Sequence, residues 1–262
     1  MGLSKRLKTV AGAVTPGYRV ADIGTDHGYV PIWLVKEGIC PKALAMDVNT
    51  GPLQRARDHI REEGLEDRIE TRLSNGLAGL APGDADSIVI AGMGGDLICR
   101  ILTAAPSILN AAKELILQPQ SEWFKVRLFL DKACWRIEKE WFIKEDGKYY
   151  VVIRAFPGTG KDYVRSDEIN DFRSEISRSS ELNVDSQENA QLTDSDFIIY
   201  GRYLLEERNP VLLEYLKNEY EKKKRILLDF EKEGRTEILR YYELKDEMDG
   251  IGRICKFFYY KY

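Results

Sequence analysis

The sequence predicts a doubly wound, Rossmann-like α/β sheet followed by a short α-helical hairpin. Three observations predict it. Short apolar runs alternate with longer stretches of helical periodicity through the amino-terminal part. Glycines and acids gather just after those short runs. Beyond residue 200 the apolar residues recur only at three-four spacing. A β-α-β-α succession requires a parallel sheet with helices on both faces, and a three-four pattern broken once by Gly234 reads as two packed helices.

Taken in order, Leu3, Leu7, Val10, Ala11 and Val14 follow helical spacing, with Lys5, Arg6 and Lys8 away from that stripe. Thr15-Pro16-Gly17 ends this helix. Strands are predicted at Arg19–Ile23, Ala43–Asp47, Ile69–Leu73, Ser87–Ala91 and Leu115–Gln118. Helices are predicted between them at Tyr29–Glu37, Gly51–Glu63, Leu97–Leu109 and Glu122–Lys132. Trp135–Lys144 and Tyr149–Phe156 are two apolar-rich runs joined by Glu145-Asp146-Gly147-Lys148, and Asp-Gly is a hairpin turn signal. The sheet is therefore expected to close with an antiparallel pair. Ser166–Asp194 is polar with few large apolar residues and reads as a surface insertion. Leu213, Leu216, Tyr220, Leu227 and Phe230, then Ile238, Tyr241 and Met248, predict a short, coiled-coil-like antiparallel hairpin with Lys223 as its polar interruption. The expected divisions are 1–160 for the α/β domain, 161–199 for a polar linker and 200–262 for the hairpin.

The 262 residues carry 39 Lys and Arg against 43 Asp and Glu, a net charge of −4 that argues against bulk polyanion binding. Local basic clusters remain at Lys5, Arg6 and Lys8 and at Lys222–Arg225, the latter reading as a solvated helix face. Cys40, Cys99, Cys134 and Cys255 lie far apart without metal-ligand spacing, so no metal is expected and reduced thiols of a cytoplasmic protein are. The apolar runs are too short to cross a membrane. Met1–Arg6 lacks the apolar core of a signal peptide, and Arg6 breaks a myristoylation pattern.

The chemistry concentrates at the predicted strand ends. Asp22-Ile23-Gly24-Thr25-Asp26-His27-Gly28 takes an apolar strand through an acid into a loop with glycines four apart, and then into a helix. Gly24 permits a sharp turn under a ligand, and Gly28 lets the helix start close to the sheet. The spacing is not the dinucleotide fingerprint, and a carboxylate at Asp22 would repel a pyrophosphate but pair with the ammonium of a methionine moiety. Asp47, followed by Val48, ends the second strand, where a carboxylate suits ribose hydroxyls; taken alone it also suits a helix cap. Asn75 and Gly76 follow the third strand, where they could read an adenine edge. Ala91-Gly92-Met93-Gly94 follows the fourth and allows very close backbone approach. Four such loops at successive strand ends imply S-adenosylmethionine as cofactor, and hence a class I methyltransferase sheet. His27 could face substrate or be structural. His59 reads as surface, and Phe257–Tyr260 as packing against the hairpin.

The chain resembles the TrmK-type tRNA (adenine-N1)-methyltransferases, which modify adenine 22 in the D-loop of bacterial tRNA. The resemblance rests on Ser4-Lys5-Arg6-Leu7, Asp22–Pro31, Asp47-Val48-Asn49, Asn75-Gly76-Leu77, Gly92-Met93-Gly94-Gly95, Leu117–Gln120, Trp135-Arg136-Ile137 and Glu145–Tyr150. It spans nearly all of residues 1 to 157 and resumes near Tyr200. Many methyltransferases acting on exocyclic base amines carry Asn-Pro-Pro-aromatic where this chain has Gly-Met-Gly-Gly. Gln120 stands where the family usually has Asn, Tyr200-Gly201-Arg202 matches a Phe-Gly-Pro element only loosely, and the insertion and the tail after Asp249 have no counterpart.

The resemblance implies a cytoplasmic enzyme with tRNA as partner. Adenine N1 has a free lone pair at neutral pH, so positioning and stabilisation of a developing cation would do most of the catalysis. Asp26 is the expected stabiliser, with His27 and the Gly92-Met93 backbone orienting the base, and Lys5, Arg6 and Lys8 holding phosphates. Two other readings stand beside it: a methyltransferase for another RNA site or a small molecule, and a non-catalytic protein that binds cofactor and RNA.

Overall fold

A computed structural model of the chain describes residues 2–158 and 192–259. The chain divides into two compact units, Met1–Glu175 and Ile176–Tyr262.

The first unit begins with α1 (Lys5–Gly12), whose N-terminus is capped by the Ser4 hydroxyl accepting from the Leu7 N–H. Then follow β1 (Val20–Ile23), α2 (Tyr29–Lys36), β2 (Ala43–Asp47), α3 (Thr50–Glu62), β3 (Ile69–Leu73) and β4 (Ser87–Gly94). The unit continues with α4 (Gly95–Thr103), α5 (Pro106–Ala111), β5 (Glu114–Ser121), α6 (Trp123–Lys132), β6 (Trp135–Glu145) and β7 (Lys148–Pro157). The seven strands are ordered β3-β2-β1-β4-β5-β7-β6. β1 to β5 run parallel, and β7 is antiparallel to both β5 and β6. This is the doubly wound sheet with a terminal antiparallel hairpin that the sequence predicts.

One core joins Val10 and Val14, near α1, to Val30 and Val35 of α2, Ile60 of α3 and the sheet residues Val20, Val89, Ile116 and Val152. α4, α5 and α6 contribute nothing to it; α4 packs on α6 and α5 instead. The amino ends of the strands are closed by carboxylates that each accept at least two hydrogen bonds. Asp86 accepts from the Arg19 backbone N–H and guanidinium and pairs with Lys113. The fully buried Glu114 accepts from the Thr15 N–H and hydroxyl.

Several boundaries differ from expectation for identifiable reasons. The expected helix Leu97–Leu109 is two helices, because Pro106 supplies no N–H and holds Ala105 at φ −135°, ψ 62°, outside the helical region. β4 does not stop at Ala91 but continues to Gly94, pairing Met93 with Pro119 and Gly94 with Ser121 across a bulge. β5 is correspondingly longer than Leu115–Gln118. The hairpin turn is only Asp146-Gly147, both at positive φ (48° and 74°), as a type I′ turn requires.

The second unit opens with a helical turn, α7 (Asp194–Asp196), capped by Thr193. A π-helical stretch (Phe197–Gly201) leads into α8 (Arg202–Glu206), so the linker expected to reach residue 199 has already ended. Residues 166–191 of the expected insertion, and the boundary at residue 160, lie outside the described residues. α9 (Pro210–Lys232) and α10 (Leu239–Tyr259) form the predicted hairpin, separated at Gly234, whose φ is 69°. The buried seam is Leu212, Leu216, Leu227, Leu244, Ile251 and Ile254. Leu213, Tyr220, Phe230, Ile238, Tyr241 and Met248 sit half-buried at its margin. The polar interruption Lys223 bonds Glu247 across the hairpin. The residues from Gly250 to Tyr259 are the last part of α10, and Phe257 there lies under the Arg208 guanidinium.

Arg127 of α6 and Glu140 of β6 form an ion pair of 2.6 Å with both side chains about 1% exposed. Removing Glu140 takes from Arg127 a counter-charge that water cannot replace at so buried a site. Glu140→Ala is expected to destabilise the protein by about 3–5 kcal/mol, and replacing both by apolar residues of similar volume to cost far less. Urea unfolding of the single and double variants checks this.

Candidate active site

The carboxyl ends of β1 and β4 flank the point where the strand order reverses, the position at which such sheets open a ligand crevice. β1 delivers Asp22 there, only 4% exposed, with the Thr25 hydroxyl donating to Oδ2 at 2.7 Å. Among the described residues no cation contacts this carboxylate. Burial pushes its pKa up to about 6, with Asp47 adding to the rise and the Thr25 hydrogen bond opposing it.

The loop after β1 is fixed by its backbone. The Gly24 and Thr25 N–H groups both donate to the Met46 carbonyl, at 2.8 and 2.9 Å, and the Gly28 N–H donates to Thr25. Gly24 has φ +75° and lies so close to Met93 that a Cβ would stand 2.3 Å from its Cε. Gly28, at φ +72°, caps α2, and a Cβ on it would stand 3.3 Å from the Ala56 Cβ of α3. Gly24 makes the sharp turn that the spacing implies, whereas Gly28 brings the start of α2 against α3 rather than against the sheet.

At the next strand ends, Asp47 is nearly buried and holds the Asn49 N–H with Oδ1 at 2.8 Å, while its neighbour Val48 is 58% exposed. Asn75 is exposed beside Gly76 (φ +57°), and Ser74 braces the turn by donating to the Gly76 carbonyl and accepting from the Gly79 N–H. Ala91, Gly92, Met93 and Gly94 are half-buried along the end of β4. Gly95 lies tight against the carbonyls of Ser121 and Glu122, which lets α4 begin close to β5.

Asp26 and His27 are placed differently from expectation. Asp26 (φ 49°) turns towards α3, pairing with Arg55 at 2.8 Å and approaching His27 Nε2 at 3.5 Å. The His27 ring stacks with Tyr29 (5.0 Å between centroids) and with His59 (5.6 Å), and His59 Nδ1 meets the His27 carbonyl at 2.9 Å. His59 is thus a half-buried packing partner of the loop rather than a surface residue. Among the described residues neither Asp26 nor His27 bonds the Gly92-Met93 segment.

What does reach that segment comes from β5 and α1. Gln118 is fully buried, and its Oε1 accepts from the Gly92 N–H at 3.1 Å and from Arg6 Nη1 at 2.7 Å. A Cβ on Gly92 (φ +80°) would lie 3.6 Å from both Arg6 Nη1 and Gln120 Nε2. The Arg6 guanidinium also stands 5.6 Å from the Tyr150 ring centroid on β7. Arg6, expected to hold phosphate, is instead part of the wall around Gly92, whereas Lys5 and Lys8 are exposed. Sequence reasoning did not assign Gln118 a role, although a polar residue closing an apolar parallel strand was the signal available.

No group of three potential metal ligands occurs among the described residues. No described helix is long and apolar enough to cross a membrane.

The crevice can accept a ligand with a cationic group at Asp22 and hydroxyls at Asp47, and present it to a planar partner over the side-chain-free Gly92. Comparison with known proteins gives the family. Residues 3–153 match the family model described as a methyltransferase domain. A Bacillus subtilis tRNA (adenine(22)-N(1))-methyltransferase is 40% identical over 156 residues, 60% of this chain and 66% of that protein. The structure of Streptococcus pneumoniae Sp1610 in complex with S-adenosyl-L-methionine superposes with a TM-score of 0.77 at 30% identity, covering 97% of this chain and 100% of the other. M. capricolum TrmK bound to S-adenosyl-homocysteine gives 0.72 at 26% identity, over 98% and 99%.

The raised pKa of Asp22 has a consequence for the ligand-free protein. A carboxyl group that titrates near 6 when folded and near 3.8 when unfolded costs nothing below the lower value. Its cost grows as pH rises and is complete above the higher one. Asp22→Asn is therefore expected to stabilise the free protein by about 1–3 kcal/mol at pH 8, with the difference narrowing towards pH 4. Urea unfolding of both proteins across this range checks it.

Proposed function

We infer that this chain, which belongs to the methyltransferase-domain family and within it to the TrmK-type tRNA (adenine(22)-N1)-methyltransferases, transfers a methyl group from S-adenosylmethionine to N1 of adenine 22 in tRNA. The observation that carries the reading is Asp22, a buried carboxylate with no cationic partner among the described residues at the strand-order reversal. The residues fit the methyl donor. Asp22 would take its ammonium, Asp47 its ribose hydroxyls, and the Gly24–Gly28 loop would leave room for its chain. Val48 and the Asn75-Gly76 turn would bound its adenine. Thr25, Asp26, His27 and the Ala91–Gly94 segment complete the proposed cofactor shell.

When bound, S-adenosylmethionine supplies an electrophilic methyl group on a sulfonium centre. The acceptor nitrogen already carries a lone pair, so no side chain has to remove a proton before transfer. The chain's own task is to orient the adenine ring and to favour the charge it acquires. Gly92 and Met93 form the floor on which the ring lies. Gln118 fixes that floor through the Gly92 N–H and fixes Arg6 beside it. Asp26 keeps an exposed carboxylate in the loop after β1, turned towards α3 and paired with Arg55, which makes its contribution smaller than that of the Gln118 arrangement. His27 supports the loop through its ring stack.

The expelled adenine must leave its stack, at a cost of roughly a few kcal/mol. Lys5 and Lys8 at α1, and Lys224 and Arg225 on α9, which form no ion pair among the described residues, offer phosphate contacts to offset it. We place this chemistry in the cytoplasm, where tRNA is matured.

Mass spectrometry of nucleosides tests the reading. Unmodified tRNA incubated with protein and S-adenosylmethionine is expected to gain 1-methyladenosine; tRNA that gains none contradicts it. Within the site, Gln118→Ala is expected to lower kcat/KM for tRNA by about 10–100-fold with cofactor affinity kept, and Asp26→Asn by less than about tenfold. Steady-state methylation with radiolabelled cofactor measures both.

A further inference from the structure

A second feature of the α/β unit lies outside the crevice. Lys5, Lys8, Thr9 and Gly12 recur at i, i+3, i+4 and i+7 and so share one face of α1. With Trp141 of β6 that face lines an open groove of about 480 Å³, within the roughly 300–1,000 Å³ of small-ligand sites. Gly12 is exposed, and a Cβ built on it would meet nothing within 4 Å, so the groove is open at this position.

Its chemistry is cationic and aromatic. Trp141 is half-buried, anchored on the core shared by α1 and the sheet, with Lys139 Nζ 5.5 Å and the Arg154 guanidinium 5.7 Å from its ring centroid. Lys8 and Lys139 form no ion pair among the described residues, and Lys5 Nζ reaches only the Lys144 carbonyl. The nearby acids are already engaged. Glu138 is held by Arg154 at 2.7 Å, and Glu145 accepts from the Lys5 and Arg6 backbone N–H groups. Set against Lys5, Lys8 and Lys139, the one carboxylate of Glu145 leaves positive charge in excess at the groove.

We propose that this groove is an RNA subsite that takes an unpaired nucleotide outside the methylated adenine, its base against Trp141 and its phosphates on Lys5 and Lys8. An indole face gives sequence-tolerant stacking, and flanking ammonium groups track the backbone, the combination used for single-stranded nucleic acid. The proposal rests on the tRNA reading above and deepens it. Arg6, on the same helix, faces Gly92, so α1 presents one side to the crevice and another to the groove.

The test uses Gly12→Glu, which puts a carboxylate into open space without backbone strain, together with Lys8→Ala, Trp141→Leu and Trp141→Tyr. Filter binding measures tRNA affinity, calorimetry with S-adenosylmethionine reports folding, and methylation is followed in parallel. Gly12→Glu and Trp141→Leu are expected to weaken tRNA binding about tenfold, Trp141→Tyr to restore most of it, and Lys8→Ala to reduce the salt dependence by about one counterion. Cofactor affinity should stay at the wild-type value. Wild-type tRNA affinity in Gly12→Glu and Trp141→Leu, with methylation intact, would overturn the subsite and leave the enzyme reading standing. Affinity lost in these variants of a protein that methylates no tRNA would support the subsite and sink the enzyme reading.

Discussion

Everything in the α/β unit follows from the divergence of two neighbouring parallel strands. β1 and β4 pair along their length, yet α2 follows β1 into the core built with α1 and α3, and α4 follows β4 to pack with α6. Helices that leave on different faces leave nothing to cover the strand ends between them, and a crevice results. The two edges of the sheet are treated oppositely. At the amino ends Asp86 and Glu114 are surrounded by donors. At the carboxyl ends Asp22 is buried with a single hydroxyl. A buried carboxylate in that state is costly at neutral pH, and either a proton or a cationic group relieves the cost.

The second half of the site depends on Gln118. One carboxamide oxygen holds the end of β4 and the guanidinium of a helix that precedes the sheet in sequence. The Gly92 segment is thus tied to α1, and through Tyr150 to the terminal hairpin. This gives the antiparallel β6–β7 pair a purpose beyond closing the sheet. It carries the ring under Arg6 on one strand and Trp141 on the other.

The parts of this architecture that rest on local rules were legible in the sequence. Strand and helix alternation, the Asp146-Gly147 turn, the glycine loops and the helical hairpin all obey short-range patterns. Features set by tertiary partners were not. Arg6 read as a phosphate ligand because its spacing says only that it leaves the apolar stripe; its reach to Gln118 depends on packing of α1 on the sheet. Asp26 and His27 read as catalytic because they lie in the loop, whereas Arg55 and His59, from a helix two elements away, decide where they turn. Lys223 looked like a flaw in the seam until Glu247 met it. Pro106, like Gln118, was a local signal overlooked, and it divides a helix as its chemistry requires.

The central claim is that the crevice delivers a methyl group to N1 of adenine. The most direct measurement replaces the target adenine of a tRNA with 1-deazaadenine, which keeps the ring shape and removes the nitrogen. Transfer of labelled methyl should occur with the natural tRNA, persist with 7-deazaadenine at the same position and vanish with 1-deazaadenine. Undiminished transfer to the 1-deaza tRNA would contradict the account.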